Sequence, residues 1–134
     1  MTTHLNFTDA ELEAAKRMKL FGLDWTPQPG DAVYDIEGKI DPGLPPIRRI
    51  YRVSEDDRLE KVYGNAKTMT REAVFLPSSS QAREALIKLG CTHDRITDQV
   101  HRRMQEGGLQ SERLTLYYLL EERLEQRTDS TPNA

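Results

Sequence analysis

Ala73-Val-Phe-Leu-Pro-Ser-Ser-Ser-Gln-Ala-Arg-Glu-Ala-Leu-Ile-Lys-Leu-Gly90 changes its period in the middle, and that change sets the fold class. Ala73 to Leu76 is a short apolar run of strand type, closed by Pro77, which has no backbone N–H to give to a ladder. Beyond it, Ser78 and Gln81 stand at the spacing of a capping box. Ala82, Ala85, Leu86 and Leu89 then follow at i, i+3, i+4 and i+7, one face of a helix that Gly90 stops. Strands belong before this junction and helices after it.

Upstream, Pro27, Pro29, Pro42, Pro45 and Pro46 exclude long helices between Asp24 and Pro77. Short β-branched and aromatic runs predict strands over 32–36, 47–53, 59–63 and 73–76, with Asp56-Asp57 and Gly64-Asn65 as turns. The second and third runs are expected to pair as a hairpin. In Ile47-Arg-Arg-Ile-Tyr-Arg-Val53, Ile47, Tyr51 and Val53 share one face and Arg48 and Arg52 the other, although Arg49 and Ile50 break the alternation. Arg48 and Arg52 are therefore candidate contacts for an anionic partner. The plainer alternative pairs them with Glu55, Asp57 and Glu60 across the hairpin, an arrangement worth little at a surface.

Before the strands, Thr8 and Glu11 form a second capping box, with Phe7 and Leu12 placed as a hydrophobic staple. The helix they start is predicted over 9–21, and Gly22 with Leu23 closes it in a Schellman motif. Trp25 just beyond is expected to seal the seam between this helix and the sheet. After Gly90, Thr92 caps a helix whose Ile96, Val100 and Met104 share a face and which Gly107-Gly108 end. A last helix begins near Ser111 with an inner stripe of Leu116, Tyr117, Leu120 and Leu124. Leu114 and Tyr118 lie off that stripe and are a candidate self-association surface, alternatively covered by the chain itself.

The expectation is thus an α+β single domain over 1–127, with an N-terminal helix, a small antiparallel sheet of three or four strands, three C-terminal helices on one face of that sheet, and a disordered tail over 128–134. Leu, Ile, Val and Phe make up about a fifth of the 134 residues, and the net charge is −3, values compatible with one modest core. The one cysteine, Cys91, excludes an intramolecular disulfide and a four-cysteine zinc framework, so a reducing, cytoplasmic setting is expected. No apolar run reaches membrane-span length, and no segment carries a strong basic excess.

Three constellations bear on chemistry. Residues 85–100 carry the spacing of a helix-turn-helix, whose groove-facing side chains would be Thr92, His93, Thr97, His101 and Arg102, with Arg103 toward the backbone. Asp94 and Asp98 on the same helix would repel DNA phosphates, and any two amphipathic helices joined by a glycine turn show this pattern. Asp94, Asp98 and His101 fall at i, i+4 and i+7, a line that a metal would use only with ligands from another element; a solvated face is the plainer reading. Asp24 or Asp31 ahead of Glu37-Gly-Lys39 has the order of a metal-dependent nuclease, but Gly38 with Pro42 and Gly43 reads as a turn. Ser78 to Ser80 lack a nucleophile elbow, and the glycines form no phosphate-cradling loop.

The reading is a non-catalytic cytoplasmic interaction or regulatory protein with no catalytic residue, cofactor or metal, whose partner is a second protein or another copy of itself. A helix-turn-helix DNA-binding regulator is the first alternative and a metal-dependent hydrolase the second.

Overall fold

The computed structural model describes residues 6–55, 57–107 and 111–130. In chain order they form α1 (Asp9–Leu20), β1 (Ala32–Tyr34), a 3-10 turn (Pro46–Arg48), β2 (Ile50–Arg52), α2 (Arg58–Tyr63), α3 (Ala66–Glu72), β3 (Val74–Leu76), α4 (Ser79–Lys88), α5 (His93–Gly107) and α6 (Glu112–Ser130). The fold class is α+β, with one small antiparallel sheet and three C-terminal helices. Two compact units are formed, one from the described part of 1–15 with 24–76 and one from 16–23 with the described part of 77–134. Residues of α1 contribute to both.

In the first unit the sheet order is β2-β1-β3, so β1 is central and pairs antiparallel with both neighbours. Val33 stands opposite Tyr51 on one side and Phe75 on the other, which puts these three on one face. Val33 and Tyr51 join Val53, Leu59, Tyr63, Met69 and Ala73 in a buried cluster, with Trp25 and Ile40 packed against it. Trp25 stacks on Phe75 with ring centroids 4.8 Å apart, so the indole covers the sheet edge instead of standing open to a ligand.

Three expectations about this unit differ from the structure. Residues 59–63 are not the second arm of a hairpin but part of α2, because Leu59 and Tyr63, one helical turn apart, both point into the core while Val62 stays exposed. α3 follows at once: Asn65 accepts from the Thr68 N–H at 2.8 Å and caps it, where a turn alone is expected from sequence. The run over 47–53 also divides. Pro45 and Pro46 draw Arg48 into a 3-10 turn, and only Ile50–Arg52 is strand, so Arg48 and Arg52 do not share a strand face. Asp56 of the expected Asp56-Asp57 turn lies outside the described residues.

α1 begins as its sequence requires. Thr8 Oγ1 accepts from the Glu11 N–H at 3.1 Å and Glu11 Oε1 from the Thr8 N–H at 2.8 Å, with Phe7 and Leu12 buried beside them. Its end has both Schellman bonds, Leu23 N–H to Met18 O at 3.0 Å and Gly22 N–H to Lys19 O at 3.1 Å.

The segment after β1 is tied down by the fully buried Asp35. Its carboxylate accepts from the Tyr63 hydroxyl at 2.5 Å and from the Lys39 and Ile40 backbone N–H groups at 3.1 and 2.9 Å. Gly38 takes φ +66° in this turn, and the Arg49 guanidinium lies against it while donating to Leu44 O at 2.9 Å and Pro42 O at 3.1 Å. Burial, and next the Asp35 hydrogen bond and charge, raise the Tyr63 pKa well above the ordinary tyrosine value.

In the second unit α4 and α5 both pack on α6. Ala82 and Leu86, Ile96 and Val100, and Leu116, Tyr117, Leu120 and Leu124 are the buried apolar positions of the three helices. The Tyr117 hydroxyl donates to Pro77 O at 2.6 Å, which satisfies the one polar atom of a ring that is fully buried. Residues 16–23 join through Arg17, which donates to Glu121 at 2.5 Å, and through Arg127, which donates to Gly22 O at 3.1 Å. α6 continues to Ser130; the rest of the expected tail, 131–134, lies outside the described residues.

Candidate functional site

A concavity with a volume of about 260 Å³ lies on the second unit, where α4, α5 and α6 meet. Its position follows from how α4 stops. The Ser78–Gln81 capping box starts that helix, and Gly90 at φ +98° ends it with Cys91 N–H to Leu86 O and Gly90 N–H to Ile87 O, each 3.0 Å. This closure folds Cys91 back over Leu86 and turns the chain into Thr92, whose Oγ1 accepts from the Arg95 N–H at 3.2 Å and caps α5.

Leu86 and Ile96, both buried, and the half-buried Leu119 supply the apolar floor. The rim is cationic, with Arg95 and Arg103 from α5, Arg123 from α6, and Glu122 as the one acid. Arg103 donates to Glu122 through both terminal nitrogens, at 2.5 and 3.0 Å, and that bidentate pairing raises its already high pKa. Arg123 reaches Leu89 O and Gln126 Oε1 only at 3.5 Å each. Among the described residues the side chain of Arg95 makes no hydrogen bond or ion pair. The rim therefore carries an excess of two positive charges, those of Arg95 and Arg123, once Arg103 and Glu122 neutralise each other.

The residues singled out from sequence are distributed differently. Thr92 at the N-cap of α5, and His93, Thr97, His101 and Arg102 on it, are all exposed, outside the concavity. Thr97 accepts from Arg83 at 3.2 Å, Arg102 pairs with Asp98 at 3.3 Å, and His101 is 3.1 Å from Gln105. Arg103, expected to face a nucleic-acid backbone, turns to α6. Arg48 is exposed on its 3-10 turn, while Arg52 donates to Gly30 O at 3.1 Å and lies 3.7 Å from Glu55. Leu114 and Tyr118 are half-buried, and among the described residues the large apolar side chains most exposed are Leu20, Ile87, Ile47 and Val62. Asp94, Asp98 and His101 are exposed along one helix, and among the described residues no three His, Cys, Asp or Glu side chains converge as metal ligands. Lys39 bonds to Glu72, lies 3.5 Å from Glu37 and sits 5.5 Å from the Tyr63 ring centroid, an arrangement that closes the turn at Gly38.

The groove residues themselves carried a readable signal. Arg95, Gln99 and Arg103 recur every four residues on α5, and Leu119, Glu122, Arg123 and Gln126 at i, i+3, i+4 and i+7 on α6. Each series alone is what a solvated helix displays, and only their apposition makes a rim. Among the described residues no helix is long and apolar enough to cross a membrane. The chain matches no family model, and neither the curated proteins nor the solved structures give a match.

Proposed function

We propose that the protein is a non-catalytic interaction protein that works through the groove of its C-terminal helices. The observation that carries this reading is the combination there of an apolar floor with guanidinium groups that the fold leaves under-used. A concavity built from aliphatic side chains and Arg is binding chemistry: it holds a ligand by burial and orients it by charge. The DNA-reading alternative asks α5 to present its outer face to phosphates, and there Arg102 is paired with Asp98 and Asp94 adds a second negative charge.

The test is two-dimensional NMR of the isotope-labelled chain, titrated in turn with short acidic, neutral and basic peptides and with duplex DNA. Shifts that concentrate at Leu86, Ile96 and Leu119 on adding peptide support the proposal. Shifts confined to Thr92, His93, Thr97, His101 and Arg102 on adding DNA would replace it with the regulator reading, and no shift with any probe would remove it.

A further inference from the structure

We propose that the occupant of the groove is an acidic segment of a partner protein, with an apolar side chain of that segment entering between Leu86, Ile96 and Leu119 while flanking carboxylates meet Arg95 and Arg123. This inference rests on the interaction reading above and names its partner.

Shape argues first for a chain and against a small enclosed ligand. The groove follows α5 from Arg95 to Arg103 and α6 from Leu119 to Gln126, eight and seven positions, or about 11–12 Å of helix at 1.5 Å per residue. That length matches three or four residues of extended peptide at about 3.3 Å each. The volume of about 260 Å³ falls below the roughly 300–1,000 Å³ of pockets that enclose a cofactor or drug-sized molecule, and suits one or two inserted side chains.

Charge then selects the segment. Arg103 is satisfied by Glu122, so recognition falls to Arg95, which has no partner among the described residues, and to Arg123, whose two contacts lie at the limit of hydrogen-bond distance. Guanidinium groups bind carboxylates through paired N–H donors, and such charge-assisted bonds are stronger than neutral ones. Gln99 stands on the rim between Arg95 and Arg103, exposed and with no side-chain hydrogen bond among the described residues, and its amide offers a donor and an acceptor to a peptide backbone. Glu122 is taken up by Arg103, so the groove offers only the charges of Arg95 and Arg123, a sparse pair that suits Asp and Glu side chains better than a duplex backbone with about one charge per 1.7 Å.

The experiment is fluorescence anisotropy with the full chain and three labelled peptides of one length. One alternates Leu with Asp and Glu, the second replaces each acid by Gln, and the third replaces each acid by Lys. The acidic peptide is expected to bind at least tenfold tighter than the neutral one and to weaken with added salt. Arg95→Gln and Arg123→Gln, both at the rim, are each expected to weaken it about two- to fivefold, the scale of one exposed ion pair. Equal binding of acidic and neutral peptides overturns the acidic assignment while leaving the interaction reading in place. Binding of none of the three, with circular dichroism showing a folded chain, overturns both. Acidic-peptide binding indifferent to both arginine substitutions places the site elsewhere and overturns the proposal.

Discussion

Replacing Tyr63 by Phe removes one oxygen and tests the account of how the sheet-side loop is held. The Tyr63 hydroxyl donates at 2.5 Å to Asp35, whose other bonds come from the Lys39 and Ile40 N–H groups. Both side chains are buried, at 3% and 0% exposure, so no water replaces the lost donor without rearrangement. Losing a hydrogen bond to a buried charged group costs about 1.5–3 kcal/mol, and the ring stays to fill its space. The expected loss for Tyr63→Phe is therefore about 2 kcal/mol near neutral pH. The pH dependence has a definite sign. The Tyr63 pKa is raised in the folded chain from an ordinary value of 10.0, by burial first and by Asp35 second. Below about pH 10 both states keep the proton and the full contribution is present. As pH rises further, the unfolded chain gains by releasing its proton while the folded chain does not, so the contribution falls. Phenylalanine has no proton to lose, so parent and variant converge above pH 10. Urea unfolding followed by Trp25 fluorescence measures this, since the one tryptophan stacks on Phe75 in the same unit. A difference below about 0.5 kcal/mol at neutral pH, or one unchanged through the alkaline range, would refute the reasoning.

Thr8→Ala removes an N-cap whose two reciprocal bonds are formed, and is expected to lower stability by about 1 kcal/mol in chemical denaturation. Gly38→Ala places a Cβ 3.0 Å from the Arg49 guanidinium at φ +66°, and should cost about 1–2 kcal/mol, more than Gly30→Ala, where φ is +90° but nothing lies within 4 Å. Tyr117→Phe strips the buried Pro77 carbonyl of its donor and should cost about 1–2 kcal/mol in thermal unfolding followed by circular dichroism, without altering peptide binding in the groove.

Helix ends beside a clear apolar stripe were legible because polar side chains and glycine specify them locally. Thr8 with Glu11, Ser78 with Gln81, and Gly22 and Gly90 at their Schellman positions each act within six residues of chain. The segment over 59–63 was not, because Leu59, Lys61 and Tyr63 alternate as a strand would while Leu59 and Tyr63 also stand a helical turn apart. Five residues do not separate the two periods. Tertiary context decided: β1 already has β2 and β3 as neighbours, and the face of Val33 and Tyr51 needed a cover, which α2 and α3 provide. Gly64-Asn65 was readable as a break, but its second role as the stop of one helix and the cap of the next was missed. The α+β class and the stripe of Leu116, Tyr117, Leu120 and Leu124 were legible because periodicity over nine residues is unambiguous. The groove was not, since its rim joins Arg95 and Arg103 to Glu122 and Arg123 across two helices, and no local spacing encodes that apposition.

The bond from Arg17 to Glu121 spans 104 positions and those from Arg127 to Phe21 and Gly22 span 106 and 105, all within one unit. A ribosome makes the chain from its N-terminus at about 5–20 residues per second. The sheet-bearing unit has all its residues once Leu76 has emerged, whereas residues 16–23 wait through the synthesis of α4, α5 and most of α6 before their partners exist. The two units are thus born in sequence, and the last turns of α6 complete a structure begun near the first helix.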